Sequence, residues 1–470
     1  MSVQPTNLRK KLKFVDPAEF TPKFSWKHSA RDPRLEHVFC EDVDLVAAAA
    51  SFGTPTYVYS RAAITKAYCE FEQGLNKIPH TVCFAVKSNG NLSILKELAR
   101  LGSGFDIVSG GELEHLGHLG VRGDRIVFSG VGKTRHEIQE ALQYPSSAAG
   151  ESAANRHRGI LLFNVESEAE LEVLLEESES AVKQGGRIPN VAIRVNPDVA
   201  AGGHPHISTG SHTHKFGLDW PEARRLYLAY KDSQYLHWKG ISAHIGSQIV
   251  SLDPFRRALG RIGMYVKDLR RAGIALEYLD IGGGLGVRYT MERAPTREDY
   301  ARLVAEFARS LGLHLLLEPG RSIIASAGVL LTRVIYTKQN RGKTFVIVDA
   351  AMNDLLRPAL YGAIHPITRI LRKAGDAKSP TRRVDIVGPV CETGDCLLRD
   401  WPLGEVRPGD PLAIWVAGAY GMSQASNYNA RTRPGEILID GSRTNVIRRR
   451  ETQDDLLRTD VLAATILPRS

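Results

Sequence analysis

The sequence predicts an α/β protein with an all-β appendage: a (β/α)8 TIM-type barrel followed by a C-terminal β-barrel or β-sandwich domain. Between about residues 59 and 325, short runs rich in β-branched residues alternate eight times with longer helical patterns, the signature of a parallel barrel. Beyond Ser326 that rhythm gives way to strand-like runs near 328–336, 344–349, 383–387, 411–417 and 435–440, separated by Gly, Pro and Asp turns. A chain of 470 residues, 43% of them hydrophobic, is also long enough to bury two cores.

The barrel strands are expected near 82–86, 104–108, 125–129, 159–163, 190–195, 240–245, 276–281 and 313–317. Helical periodicity lies between them, at Leu92 to Leu101, Glu166 to Ala181, Pro221 to Tyr230, Pro254 to Ala272 and Arg297 to Leu311. The expected domain plan is an N-terminal extension over 1–36, a segment over 37–58 that joins the β domain, the barrel over 59–325 and the β domain over 326–470. The Ser- and Ala-rich stretch from Pro145 to Arg158 reads as a surface insertion.

Chemistry in a parallel barrel collects where the strands end, so the residue type at each strand's carboxyl end is informative. Here those positions read Lys87, Asp106, Ser129, Asn164, Asn196, His244, the turn Gly282-Gly283-Gly284, and Glu318. A ring of polar groups at one mouth follows.

Composition narrows the function. The formal net charge is +9, but 61 basic residues are interleaved with 52 acidic ones, which reads as a solvated surface and not as a nucleic-acid footprint. Cys40, Cys69, Cys83, Cys391 and Cys396 have no C-x-x-C spacing, which suits a reducing compartment and so the cytoplasm. The N-terminus lacks an apolar signal core, and the apolar run Val46 to Ala50 is far short of the ~20 residues a membrane span needs. Neither export nor insertion is expected.

Lys87 ends the apolar run Phe84-Ala85-Val86, where burial would weaken its hold on a proton and make the amine a nucleophile; a solvated rim lysine is the plainer reading of that residue alone. The glycines after Leu279-Asp280-Ile281 would free backbone N–H groups to cradle a phosphate, although such turns are as often merely tight. Val287 and Tyr289 occupy the places where a dinucleotide fingerprint would need its third glycine. Ser129-Gly130-Val131-Gly132-Lys133-Thr134 looks like the end of a Walker A loop, but Val127 stands where the first glycine is required, so it is read as a decoy. His204, His206, His212 and His214 crowd one loop without metal-ligand spacing, and no metal is expected. Glu318-Pro319-Gly320-Arg321 sets a carboxylate three residues from a guanidinium, suited either to a ligand with both charges or to a structural ion pair. Cys391-Glu392-Thr393-Gly394-Asp395 puts a thiol beside carboxylates, a place for a proton donor or for an ordinary buried cysteine.

Taken together and in order, these stretches resemble the diaminopimelate decarboxylases, pyridoxal-phosphate enzymes built like alanine racemase, from about Thr54 to Asp460. The resemblance is carried by Phe84 to Lys87, Phe105 to Glu112, Arg194-Val195-Asn196-Pro197, His244-Ile245-Gly246-Ser247-Gln248, Gly282 to Gly284, Glu318 to Arg321, Met352 to Pro358, Cys391 to Asp395 and Gly418-Ala419-Tyr420-Gly421. Thr393 departs from the family's usual Ser and Ser88 from its usual Ala.

The resemblance implies that Lys87 carries pyridoxal 5'-phosphate as a Schiff base and that Asp106 belongs to the cofactor site. It puts His244 against the ring, Glu318 at the pyridine nitrogen, and Ser247, Gly283, Gly284, Pro319, Gly320 and Arg321 around the phosphate. Tyr420 reaches the same cofactor. Arg321, Arg357 and Tyr361 resemble a clamp for the substrate's distal carboxylate, Tyr420 also lines that pocket, and Glu392 resembles the acceptor of the distal ammonium. Cys391 resembles the proton donor, and both it and Glu392 would come from the neighbouring subunit of a homodimer. The implied reaction is decarboxylation of meso-2,6-diaminopimelate to L-lysine, the last step of lysine biosynthesis. The competing readings are a related decarboxylase for another basic amino acid or a carboxylated polyamine, and a homologue that has lost turnover.

Overall fold

The structure is a computed structural model, and it describes residues 15–146, 159–199, 215–376 and 382–462. The histidine-rich loop, all but the first two residues of the 145–158 insertion, and the first part of the N-terminal extension lie outside the described residues. The chain divides into two compact units: Ile64–Arg288 with Glu292–Ala325, and the described parts of Met1–Ala63, Tyr289–Met291 and Ser326–Ser470.

The first unit is the expected barrel. Its strands are β1 (His80–Ala85), β2 (Gly104–Ile107), β3 (Ile126–Phe128), β4 (Leu162–Val165), β5 (Asn190–Arg194), β6 (His237–Ser242), β7 (Tyr278–Asp280) and β8 (His314–Leu317). All pair in parallel in chain order, and the register Leu315↔His80, Leu316↔Thr81, Leu317↔Val82 closes β8 onto β1. Parallel strands covered by helices are buried on both faces, which is why each reads as an almost unbroken apolar run. Cys83, Val127, Leu162, Ala192 and Leu316, from five different strands, form one solvent-free cluster. Gly104 and Gly240 belong to the same packing constraint: a Cβ at Gly104 would lie 2.8 Å from Cys83 Sγ, and one at Gly240 would lie 3.0 Å from Ala192 Cβ.

Side-chain caps start most of the helices between the strands. Asn91, Ser109, Thr134, Ser167, Asp219 and Thr296 each accept a backbone N–H from the first turn that follows them, and Thr134 with Glu137 forms a full capping box. The cap on Ser167 corrects a boundary: the helix runs Glu168–Lys183, and Glu166, expected inside it, stands outside. Asp253–Arg271 buries Phe255, Leu259, Ile262, Val266 and Leu269, one stripe at helical spacing.

In the second unit a nine-stranded sheet runs in the order Cys396–Pro402, Arg383–Val387, Lys343–Val348, Gly328–Asn340, Thr56–Ser60, Gly435–Asp440, Arg443–Arg448, with Pro411–Ile414 and Ile367–Arg369 branching from Gly328–Asn340. Thr56–Ser60 is fully buried inside that order, between Gly328–Asn340 and Gly435–Asp440, although it precedes the barrel in the chain. A smaller sheet holds Phe24–His28, Leu35–Cys40, Val43–Asp44 and Leu371–Lys373. The expected extension therefore contains a paired strand: Phe24–His28 buries Phe24 alone, so its sequence carries little apolar signal.

Because the barrel cluster is closed on all sides, Leu162→Ala leaves a hole its neighbours cannot fill. It is expected to destabilise the barrel by about 3 kcal/mol, read as a lower denaturant midpoint with an unchanged slope.

Candidate active site

The carboxyl ends of the barrel strands bring the predicted groups together. Lys87 lies on the one-turn 3-10 segment Val86–Ser88 that follows β1, and its ammonium is hydrogen-bonded to Asp106 at the end of β2. Asp106 is completely buried, as is Asp280 at the end of β7, while Glu318 after β8 is 7% exposed. Asn164, on β4, ties these ends together by donating to Asp280 Oδ2 (2.6 Å) and Ser129 Oγ (3.0 Å). Ser129 Oγ in turn donates to Glu318 Oε1 at 3.1 Å.

Three carboxyl groups in one dry space cannot all be ionised. Burial, then the charges of Asp106 and Asp280, push the Glu318 carboxyl well above the usual carboxylate range, so it keeps its proton and shares a hydrogen bond with Asp280. Glu112, one turn into the helix after β2, is pushed up to about 7 by burial, although the Val108 N–H donates to its Oε2 at 2.7 Å.

His244 lies two residues beyond β6. Burial first, then the positive charges of Arg194 and Lys87, hold its pKa well below the ordinary value, so the ring is neutral. The Gly283 N–H donates to His244 Nδ1 at 3.1 Å, which leaves the ring hydrogen on Nε2. The ring sits where a Cβ on Gly282 would come within 2.6 Å of Nδ1.

The glycines around this point form a cradle that side chains would fill. A Cβ on Gly283 would fall 2.3 Å from the Glu318 carbonyl oxygen, one on Gly284 2.5 Å from the Gly246 carbonyl, and one on Gly320 2.9 Å from Ser88. Gly284 also has φ 105°, in the region that favours glycine. Pro319 is fixed against β1 by its carbonyl, which accepts the Ala85 N–H at 3.3 Å. Arg321, 5% exposed, donates through Nη2 to Ser247 Oγ at 2.9 Å. At this mouth the buried acceptors Asp106 Oδ1 and Asn164 Oδ1 have no hydrogen-bond donor among the described residues.

A lysine, a protonated carboxyl, a neutral imidazole and a small-residue cradle bounded by a hydroxyl and a guanidinium fit a phosphorylated pyridine aldehyde. In that fit the lysine would take the aldehyde, the carboxyl would face the ring nitrogen and the cradle would hold the phosphate. No metal-binding group of three or more His, Cys, Asp or Glu occurs among the described residues.

The second unit holds the remaining predicted groups in two places. Arg357, 5% exposed, donates from Nε to His365 Nε2 at 3.2 Å, and His365 Nδ1 bonds the Trp415 carbonyl at 3.0 Å, which fixes the imidazole as a neutral acceptor. The Arg357 guanidinium carbon lies 5.8 Å from the ring centres of Tyr289 and Tyr361 and 5.9 Å from that of Tyr420. Cys391 and Glu392 are elsewhere, exposed on the loop before Cys396–Pro402. That loop is anchored by Asp395, whose carboxylate accepts the Met352 and Val390 N–H groups at 2.7 and 2.8 Å. Asn429 Oδ1 accepts the Cys391 N–H at 3.0 Å, and a hydrogen bond to Glu392 raises the Tyr428 phenol.

Several partners escaped the sequence reading. His365, Asn429 and Glu166 carried no motif; Tyr289 was visible only as a missing glycine. Glu166 accepts from Arg194 Nη1 (2.8 Å), Gly130 N (2.9 Å) and Gly217 N (3.1 Å), bracing the loops after β3 and β5. The Walker-like lysine is accounted for internally: Lys133 Nζ donates to the carbonyls of Gly130 (2.9 Å) and Asn164 (2.7 Å) and to Glu170 Oε1 (2.7 Å).

Comparison with known proteins gives the family. A family model described as "Pyridoxal-dependent decarboxylase, pyridoxal binding domain" matches residues 61–325. The diaminopimelate decarboxylase of Pseudomonas aeruginosa is 48% identical over 428 residues, 91% of this chain and 97% of that protein. The crystal structure of the Helicobacter pylori diaminopimelate decarboxylase complexed with L-lysine is 40% identical, with a TM-score of 0.79 over 88% of this chain and 98% of that one. The M. jannaschii enzyme in co-complex with L-lysine is 35% identical, with a TM-score of 0.82 over 94% and 99% of the two chains. With the barrel-mouth lysine, the acidic network and the glycine cradle all present on a matching fold, the chain belongs to the diaminopimelate decarboxylase family of pyridoxal-dependent decarboxylases.

Proposed function

We propose that this chain converts meso-2,6-diaminopimelate to L-lysine and carbon dioxide, the last step of lysine biosynthesis, with pyridoxal 5'-phosphate as its cofactor. The observation that carries the reading is Lys87 paired with Asp106 beside a Glu318 carboxyl that keeps its proton, in a chain so similar to enzymes of this name.

When bound, the cofactor's pyridine ring withdraws the electron pair that decarboxylation leaves at the substrate Cα. Lys87 Nζ is the covalent attachment point. Glu318 holds a proton at the ring nitrogen, the arrangement that makes the ring a strong electron sink. His244 lies against the ring as a neutral imidazole and so adds no positive charge that would compete with that proton. Ser247, Gly283, Gly284, Pro319, Gly320 and Arg321 hold the phosphate; Gly283 contributes by its small size, since its N–H is committed to His244.

Substrate selection rests on charge. Lysine, ornithine and arginine lack a distal carboxylate, and Arg357, with Arg321, Tyr361 and Tyr420, supplies a guanidinium and phenols for that group. Glu392 takes the distal ammonium, and Cys391 Sγ delivers a proton to Cα. The exposure of both on one anchored loop supports a homodimer in which each subunit completes the other's site. All five cysteines are free, which supports a reducing, cytoplasmic setting, and among the described residues no helix is long and apolar enough to cross a membrane.

Lys87→Ala is expected to abolish the visible absorbance of lysine-bound cofactor and reduce lysine production to background. Retained turnover would remove Lys87 from the scheme. Arg357→Ala is expected to raise KM for diaminopimelate roughly 30-fold, about 2 kcal/mol of a charge-assisted contact, with cofactor affinity unchanged; an unaltered KM would exclude the clamp. The raised Glu112 carboxyl gives a pH dependence. Between its ordinary value near 4.5 and about 7 only the folded protein holds that proton, so unfolding releases it and the stability of the cofactor-free protein declines across this window as pH rises. Thermal melts of Glu112→Gln should show that slope flattened.

A further inference from the structure

Two loops carry the proposed phosphate cradle, one after β6 and one after β7, and they are joined by more than their glycines. The Ile249 N–H donates to the Gly284 carbonyl at 3.0 Å and the Gly286 N–H to the Ile249 carbonyl at 3.0 Å, a one-residue parallel bridge between Ile249 and Leu285. Next to that bridge stands Gln248, whose backbone is left-handed at φ 57°. A glutamine holds that conformation only where its surroundings impose it.

The reason is its carboxamide. Gln248 Nε2 donates to the Val287 carbonyl at 2.6 Å, and Gln248 Oε1 accepts the Val287 N–H at 3.1 Å. A primary amide offers the same donor and acceptor as a peptide unit, so the side chain adds a further rung to the bridge where the backbone itself has turned away. Both partners are main-chain atoms that cannot be moved without moving the loop. The loops are also too close for an alternative brace: a Cβ on Gly286 would lie 3.0 Å from the Ile249 carbonyl. Gln248 adjoins Ser247, and Val287 is three residues from Gly284. The carboxamide thus fixes the distance between the hydroxyl on one loop and the glycines on the other.

We propose that Gln248 is a positioning residue for the cofactor's phosphate, holding Ser247 and Gly284 in register through Val287. This rests on the assignment of those two residues to the phosphate. A glutamate at 248 would keep the shape but present a carboxylate to the Val287 carbonyl, so the proposal requires the amide and not merely the length.

The test is titration of the cofactor-free protein with pyridoxal phosphate and, separately, with pyridoxal, which lacks the phosphate, following the absorbance of the lysine-bound form. Gln248→Ala and Gln248→Glu are each expected to weaken pyridoxal phosphate binding roughly tenfold while pyridoxal binds as in the parent protein. Ser247→Ala serves as the control for the cradle. Unchanged phosphate-ester binding in both Gln248 variants, with a loss in Ser247→Ala, would overturn the role of Gln248 and leave the cradle standing. No loss in any of the three would overturn the cradle and the proposal with it. An equal loss of pyridoxal and pyridoxal phosphate in Gln248→Ala would show a general support of the barrel mouth and would also overturn the proposal.

Discussion

Closing eight parallel strands into a ring sends every strand's carboxyl end to the same mouth, and in this chain three of those ends carry buried carboxyl groups. Asp106, Asp280 and Glu318 share a space from which water is largely excluded, so their charges cannot be treated separately. Much of the rest of the site follows from that crowding. Lys87 is held by Asp106, Asn164 divides its amide between Ser129 after β3 and Asp280 on β7, and Glu318 retains a proton that an isolated glutamate would lose. His244 is governed by the same dryness with the opposite sign, since burial and neighbouring cations keep it neutral.

The β unit solves a different problem. A guanidinium is useful for recognition only if its direction is fixed, and Arg357 is held by an imidazole that is itself fixed by a carbonyl. Three tyrosine rings surround the guanidinium at nearly equal distances, which limits its motion without consuming its charge. The Cys391 loop is rigid at its base, through Asp395, and open at its tip. The barrel unit therefore holds buried titratable groups, and the β unit holds a directed cation and an exposed thiol.

The barrel was legible because buried parallel strands are continuous apolar runs that end abruptly in a polar residue, and those end residues make up the proposed site. Lys87, Asp106, His244 and Glu318 could be placed for that reason. The residues that hold them were harder to see. Gln248 meets Val287 across 39 positions, and Glu166 meets Gly217 across 51, so no local spacing signals either contact. Arg357 stood in a recognisable stretch, but His365 gains its meaning only from Trp415, fifty residues away. The strand Phe24–His28 was hidden because only one of its five residues is buried, and Gly328–Asn340 outran its expected end because its last five residues are exposed.

Thr56–Ser60 pairs with Gly328–Asn340 on one side and with Gly435–Asp440 on the other, with register from Gly328↔Tyr59 to Ile439↔Ser60. This short strand emerges during synthesis long before either neighbour exists. The barrel is almost a continuous stretch of chain and can form while the ribosome is still at work, but the β unit cannot complete its centre until nearly the whole chain has been made. A strand that ends fully buried must wait, unpaired, through that interval. The nascent chain is thus exposed to wrong pairing at its beginning, and loss of residues near its end would strand a segment almost four hundred positions earlier.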